Sequence, residues 1–151
     1  MPSTRFLPVE RSFMSEKEEV SNRRKSRRVT LLTLRYRVIS GWTKHKKSKP
    51  VLGIIQNISS DGLCLKTNTL EVDGLHLSFD DTPLVRNKLE IDLDLPNSEK
   101  TIHITGEVEW YEKERGRNKD FYLVGVSFVK IREEDRRILD DYIEMIDQFT
   151  D

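Results

Sequence analysis

The chain has 151 residues, of which 36% are hydrophobic and 34% are charged, and this fits one globular domain that forms a core without disulfides or metals. Its single cysteine excludes an internal disulfide and favours a reducing compartment, and no apolar run approaches the roughly 20 residues that span a bilayer, so we expect a cytoplasmic protein without a secretory leader. The 26 basic and 26 acidic residues give a formal net charge of zero, which argues against a general polyanion binder.

The N-terminal third combines a tail, a basic arm and a strand. Residues 1–21 contain two prolines and no apolar periodicity, which predicts a flexible tail. Residues 22–28 (NRRKSRR) lie outside any predicted strand, and we expect them to form an arm that is mobile without ligand. From Val29 the apolar residues begin to alternate, through Val38, which predicts a half-buried strand. A basic loop then covers residues 40–50.

A β-hairpin is predicted next. Residues 51–56 form an apolar, β-branched run, and residues 62–67 (GLCLKT) form the returning strand. Between them, Asp61 and Gly62 are expected to supply the positive-φ positions of the turn. Cys64 alternates with leucines on both sides, and we expect it to be a small packed side chain.

Four further alternating segments predict strands, at residues 75–79, 89–95, 102–110 and 121–129. Trp110 is expected in the core, on the same face as the apolar residues before it. A polar loop at 112–120 separates the last two strands. The count of six or seven strands within residues 29–129 is typical of a closed antiparallel barrel or a sandwich.

The pattern changes to a helical period near the C-terminus. Residues 132–149 carry apolar residues three or four apart, which predicts an amphipathic α-helix. Glu133, Glu134 and Asp135 in its first turn interact favourably with the positive end of the helix dipole. We expect the apolar stripe of this helix to cover the open side or end of the barrel.

Charge is distributed unevenly along the chain. No acidic residue occurs between Val20 and Ser60, whereas the C-terminal helix is mainly acidic. This favours an anion-binding region near the N-terminus. The alternative is that the two regions are solvated faces that partly neutralise each other. The basic residues of the first region are Arg23, Arg24, Lys25, Arg27, Arg28, Arg35, Arg37, Lys44, Lys46, Lys47 and Lys49.

The arm brings pairs of arginines together. Arg24 and Arg28 are four residues apart, as are Arg23 and Arg27, so each pair shares one side whether the arm is extended or helical. A guanidinium group binds phosphate oxygens through a planar fork and also stacks on bases. A small ligand with separated phosphates and purine rings would use both properties. The alternative for an isolated arginine cluster is a solvated arm.

The hairpin turn carries a second polar motif, Asn57-x-Ser59-x-x-Gly62. An amide and a hydroxyl at this spacing can bind a base edge, and a glycine removes a side chain where a ligand approaches. Taken alone, the motif is also ordinary turn chemistry, because Asn and Ser cap turns through their own backbone.

The two motifs in this order resemble the PilZ domain, the bacterial receptor domain for cyclic di-GMP. The segments G-E-V-E-W at 106–110 and G-V-S-F at 125–128 and the terminal helix are also similar to that family, so we assign residues 22–151 to this domain. The resemblance implies a six-stranded antiparallel β-barrel with a C-terminal helix. It also implies that the ligand lies on the outer surface of the barrel, under the arginine arm.

The resemblance assigns a role to each motif residue. The paired arginines would hold phosphate and guanine, and the turn would cradle the other side of one guanine. An arginine just before the pair goes with two nucleotides per site in the family. Ordering of the arm by ligand would then create a surface for a protein partner, which the sequence does not identify. The residues expected to bind cyclic di-GMP are Arg23, Arg24, Arg28, Asn57, Ser59 and Gly62.

Other chemistry is weakly supported by the sequence. The three histidines lack metal-ligand spacing, and no nucleophile with a base or nucleotide-phosphate loop is present, so we expect neither a metal nor an enzyme. One alternative function is a basic barrel that binds RNA or single-stranded DNA, but its basic segment offers only Tyr36 and Trp42 for stacking. The other is a nucleotide-independent adaptor, against which the complete motifs weigh.

Overall fold

The computed structural model describes residues 32–79 and 85–149 as a closed six-stranded barrel with one C-terminal helix. The barrel order is β1-β2-β3-β8-β7-β6, and every neighbouring pair is antiparallel. The predicted barrel and terminal helix are therefore confirmed. The elements are β1 (Leu32–Ile39), β2 (Val51–Ile58), β3 (Gly62–Thr67), β4 (Glu71–Val72), β5 (Leu75–His76), β6 (Lys88–Leu93), β7 (Ile102–Glu114), β8 (Phe121–Ile131) and α1 (Glu133–Phe149).

Most of the predicted strand boundaries agree with the observed ones to within about two residues, and two segments differ more clearly. The prediction of a strand over residues 75–79 is wrong after His76, where β5 ends. Strand β5 pairs with β4 in a separate two-stranded sheet and does not join the barrel. The hairpin forms because Asp73 and Gly74 both adopt positive φ, at 53° and 82°. The loop expected over residues 112–120 is shorter, because β7 and β8 continue pairing as far as Glu114 and Phe121.

The core fills the barrel interior with the inward half of each alternating strand. Side chains one position apart on a strand point to opposite faces, so the apolar set of each strand faces the same interior. Tyr36 is 1% exposed there, and its hydroxyl is 2.8 Å from the hydroxyl of Thr67, so the buried phenol has a hydrogen-bond partner. Burial raises the pKa of Tyr36. Fully buried members of this interior include Leu34, Val38, Leu63, Leu65, Leu89, Ile91, Leu93, Ile102, Ile104 and Val124.

Helix α1 is attached to the barrel by apolar and polar contacts. Leu139 and Tyr142 are buried in the same core cluster, at 0% and 2% exposure, as expected from the apolar stripe. The Asp135 side chain is also fully buried; it accepts a hydrogen bond of 3.1 Å from the His103 backbone N–H and pairs with Lys100 Nζ at 3.0 Å. Burial alone would raise the pKa of the Asp135 carboxyl, but these two partners hold that pKa below its ordinary value of 3.8. Within the described ranges, no helix is long and apolar enough to cross a bilayer.

Candidate functional site

A β-bulge in β7 places two consecutive residues beside one groove on the outer face. Val108 pairs with Val126 and Trp110 pairs with Gly125, so Glu109 is the extra residue between them. In a regular strand Glu109 and Trp110 would point to opposite faces, whereas a bulge re-aims the side chains that follow it. Both residues line the groove.

The prediction that Trp110 lies in the core is therefore wrong. Its indole is half-buried and packs over Gly125 of β8, whose neighbours Val124 and Val126 face the interior. A methyl group at Gly125 would collide with the indole ring, so the glycine leaves the space that the indole occupies. The alternation of residues 102–108 does not continue to Trp110, because the bulge shifts the register by one residue.

A second bulge, in β2, sets the register beside the β2–β3 turn. Ile55 pairs with Leu65 and Asn57 pairs with Cys64, so one extra residue stands between the pairs. Cys64 in turn pairs with Gly125 of β8, which pairs with Trp110 of β7. The paired residues therefore form a continuous row across four adjacent strands, from Asn57 on β2 to Trp110 on β7. Cys64 in this row is buried, in agreement with the prediction that it is a small packed side chain.

The turn between β2 and β3 is closed by its own hydrogen bonds. The Ser59 backbone N–H donates to the Gly62 carbonyl at 2.8 Å, and the Ser59 hydroxyl donates to the same oxygen at 3.2 Å. The Ser59 hydroxyl also accepts from the Asp61 backbone N–H at 3.3 Å. The turn chemistry that Ser residues often provide is thus present, and it holds the Ser59 hydroxyl in a defined position at the groove.

Two neighbouring elements brace the same turn from outside. The Phe128 backbone N–H of β8 donates to the Asp61 carbonyl at 2.9 Å. Arg136 of α1 donates from its guanidinium to the Ser60 carbonyl, also at 2.9 Å. The turn is consequently fixed to both β8 and the C-terminal helix.

The positive φ expected at Asp61 and Gly62 is wrong. In the part of the chain that the structure describes, only Asp73 and Gly74 have positive φ. Gly62 meets a different requirement, because a Cβ atom there would collide with the carbonyl oxygen of Val126 on β8. The glycine thus permits the close approach of two strands rather than a left-handed turn.

The groove has a volume of about 510 Å³. Of the expected site residues, Ser59 and Gly62 line the groove. Asn57 does not line it, but it pairs with Cys64 in the row of residues described above. The expected Arg23, Arg24 and Arg28 lie outside the described residues, as do the predicted tail and arm. The complete lining is Ser59, Asp61, Gly62, Glu109, Trp110, Gly125, Val126 and Ser127.

The sequence analysis named two of the eight lining residues as site residues, and those that it missed include Glu109, Trp110 and Ser127 of β7 and β8. These three residues belong to the segments 106–110 and 125–128, which are similar to a known family but show no functional chemistry in the sequence alone. The bulge that orients the first two leaves no period in the sequence, so the strand pattern assigned Trp110 to the core instead.

The groove combines an aromatic face with hydrogen-bonding groups. Trp110 supplies the flat apolar surface, and Ser59 and Ser127 supply hydroxyls. Glu109 is held by the Ser127 hydroxyl, which donates to Oε2 at 2.8 Å, and by Arg86, whose guanidinium lies 3.4 Å from the same oxygen. Such a surface suits a planar heterocycle with polar edges. Within residues 32–79 and 85–149, no group of three His, Cys, Asp or Glu side chains could hold a metal ion.

Several solved structures are similar to this chain to different degrees. MrkH of K. pneumonia in its apo state is 21% identical with a TM-score of 0.52, over 80% of this chain and 50% of that one. The PilZ domain with c-di-GMP of YcgR from Escherichia coli is 10% identical with a TM-score of 0.45, over 80% and 92% of the two chains. The Borreliella burgdorferi PlzA protein in complex with c-di-GMP is 18% identical with a TM-score of 0.43, over 84% and 49%.

This chain spans about half the length of MrkH, and the likeness to MrkH concerns the fold. No curated protein matches the chain significantly in sequence. The profile of the PilZ domain, however, matches residues 22–145, which is most of the chain and includes the arginine segment, the barrel and most of α1. The chain therefore belongs to the PilZ domain family.

Proposed function

We propose that this chain is a cytoplasmic receptor for cyclic di-GMP that acts by binding and not by catalysis. The observation that carries the proposal is the position of the groove. It lies on the outer face of the barrel, at the turn that holds Ser59 and Gly62. Membership of the PilZ domain family and the complete R-x-x-x-R and N-x-S-x-x-G motifs support the same ligand.

The topology allows the arginine arm to reach this groove. Leu32 begins β1 and pairs with Ile55, and β2 runs from there towards the turn that starts after Ile58. Because β1 and β2 are antiparallel, the first residue of β1 lies at the same end of the barrel as the turn. Arg28 is four residues before Leu32, and Ser59 is four residues after its partner Ile55, so both segments span about 13 Å when extended.

The chemistry of the ligand matches the residues available. Cyclic di-GMP has two phosphates and two guanines, and we propose that Arg24 and Arg28 bind a phosphate and the O6 and N7 edge of a guanine. Ser59 and Gly62 would hold the opposite side of one guanine, together with Asn57, and the Trp110 indole offers a stacking surface. The remaining member of the expected set, Arg23, favours two nucleotides per site.

Ligand binding would fix the arm against the barrel and reposition residues 1–21. We propose that this rearrangement is the output of the receptor, because it makes a surface that depends on ligand and that a protein partner can recognise. The hydrogen bonds from β8 and α1 to the turn support this proposal, because they make the barrel the rigid part of the site and leave the arm as the part that moves.

Calorimetric titration tests the proposal. We expect saturable heat with cyclic di-GMP, and much weaker binding of cyclic di-AMP, GTP and a short RNA. Ser59→Ala should weaken cyclic di-GMP binding by about tenfold, because it removes a hydroxyl at the groove and two hydrogen bonds of the turn. Ser60→Ala is the matched control, since Ser60 contributes its backbone carbonyl to the Arg136 contact and should bind as the unmodified chain does.

The alternative functions predict different titrations. A nucleic-acid-binding barrel would bind RNA with an affinity that falls steeply as salt rises, and Ser59→Ala would change it little. An adaptor that works without nucleotide would give no heat with any of the four ligands. Either result would contradict the proposed receptor function.

A further inference from the structure

We infer that Glu109 reads the Watson–Crick edge of one guanine and thereby makes the site selective for guanine over adenine. The inference rests on the proposed function and concerns which base the groove accepts. The β7 bulge brings Glu109 and Trp110 to the same groove. A carboxylate next to an aromatic face is placed to contact the edge of a base that stacks on that face.

The carboxylate is held with one oxygen towards the protein. The Ser127 hydroxyl and the Arg86 guanidinium both contact Oε2, at 2.8 and 3.4 Å, and Arg86 is itself tied to the Val108 carbonyl at 3.2 Å. Oε1 has no hydrogen-bond partner among residues 32–79 and 85–149. A carboxylate accepts about four hydrogen bonds, so Oε1 and the remaining capacity of Oε2 are available to a ligand. Its orientation is set before the ligand arrives, which lowers the ordering cost of binding.

The edges of the two purines differ in what they offer to a carboxylate. Guanine presents two adjacent donors, the N1–H and the 2-amino group, which match the two oxygens of a carboxylate. Adenine presents the N1 lone pair, an acceptor, at the position of the guanine N1–H, and this repels a carboxylate oxygen. A site built to accept hydrogen bonds discriminates strongly against a ligand that lacks the donors.

Other polar groups of the groove fit this role less well. The serine hydroxyls of Ser59 and Ser127 each donate as well as accept, so they do not distinguish the two edges. Asp61 also lines the groove, but it is exposed in the turn, and no side chain among residues 32–79 and 85–149 binds its carboxylate. Glu109 is the groove carboxylate that is both braced and adjacent to the indole.

The test is a cycle that removes the carboxylate and the 2-amino group separately. Glu109→Gln and the unmodified chain are titrated with cyclic di-GMP, cyclic di-AMP and cyclic di-IMP, which lacks the 2-amino group. We expect cyclic di-IMP to bind the unmodified chain about tenfold more weakly than cyclic di-GMP, and to bind Glu109→Gln with nearly the same affinity as cyclic di-GMP does. The preference for cyclic di-GMP over cyclic di-AMP should fall by a similar factor in Glu109→Gln.

Three further variants make the outcome decisive. Glu107→Gln on the same strand is the matched control, because Glu107 does not line the groove and pairs instead with Lys88 and Arg86. The Glu107→Gln variant should keep the base selectivity of the unmodified chain. Ser127→Ala removes a brace but keeps the carboxylate, and we expect a smaller loss of the same selectivity. An amino-group effect that persists in Glu109→Gln, or that disappears in Asp61→Asn instead, would overturn the inference. Failure of the unmodified chain to bind cyclic di-GMP would overturn the proposed function itself.

Discussion

Replacing Arg28 with alanine is expected to abolish measurable cyclic di-GMP binding, with a loss of about 100-fold or more. In the proposed site this guanidinium makes charge-assisted hydrogen bonds and also stacks on a base, and the two contributions together amount to about 3 kcal/mol. Calorimetry on the full chain measures the loss. Because Arg28 precedes the barrel strands, its variant should unfold at the same temperature as the unmodified chain in the absence of ligand.

The matched control for this prediction is Arg27→Ala. Arg27 is the neighbour that makes the R-x-x-x-R spacing ambiguous by one residue, since Arg23 lies four residues before it. If Arg24 and Arg28 are the pair that binds, Arg27→Ala should reduce affinity by less than about threefold, the effect of one nearby exposed charge. A large loss in Arg27→Ala with near-normal binding by Arg28→Ala would show that the other register is used.

Replacing Leu139 with alanine is expected to lower the free energy of unfolding by about 2–5 kcal/mol. The side chain is fully buried between α1 and the barrel, so its truncation loses apolar burial and leaves a cavity. Urea unfolding followed by circular dichroism measures the change. Asp140→Ala is the control on the same helix, because Asp140 is exposed and should change the stability by less than about 0.5 kcal/mol.

The polar attachment of the same helix predicts a dependence on pH. The pKa of Asp135 is lower in the folded chain than its ordinary value of 3.8, so the unfolded chain takes up the proton first as the pH falls. The stability that Asp135 contributes is therefore complete above the ordinary value and is lost as the pH falls through the folded pKa. Asp135→Asn should be less stable near neutral pH by about 1–3 kcal/mol. It should also lose less further stability on acidification.

The two helix variants distinguish the apolar and polar attachments. The difference in unfolding free energy between Leu139→Ala and the unmodified chain should be the same at pH 7 and at pH 4. The difference for Asp135→Asn should shrink as the pH falls below about 4. A constant difference for Asp135→Asn across this range would contradict the account of its carboxylate.

Much of the fold could be predicted because burial follows strand periodicity. The inward residues Leu34, Tyr36 and Val38 alternate with polar ones, and the same rule gave the strands β6 to β8. The terminal helix was evident from its apolar stripe, and Leu139 and Tyr142 do enter the core. These features depend on repeated local patterns, which a single sequence contains.

The errors arose where tertiary contacts decide. Trp110 follows an apolar alternation but lies on the outer face, because a bulge shifts the register after Val108. Gly62 was expected to adopt positive φ, whereas what fixes it is the close approach of Val126 from β8. Leu75 and Leu77 are buried as their alternation predicts, yet the segment bends into a separate hairpin instead of joining the barrel. A bulge or an approach between strands depends on residues distant in the sequence.

The candidate site was accessible from sequence only through its motifs. Ser59 and Gly62, which were predicted to bind the ligand, line the groove, and Asn57 belongs to the row of paired residues that ends at Trp110. The lining residues from β7 and β8 could not be predicted from the spacing of residues along the chain. They lie about 50 to 70 positions after Ser59 and Gly62, and the order of strands in the barrel brings them to the same face. The ligand-binding roles of Asn57, Ser59 and Gly62 and of the three arginines of the arm remain predictions.

The most direct measurement of the central claim uses the fluorescence of Trp110. The chain has two tryptophans, and Trp42 is 63% exposed in the β1–β2 loop, so Trp42→Phe leaves the groove indole as the single reporter. If cyclic di-GMP binds in the groove, titration of this variant should change the Trp110 emission saturably, with the same affinity that calorimetry gives. Calorimetric binding of cyclic di-GMP with an unchanged Trp110 emission would place the ligand elsewhere and contradict the account.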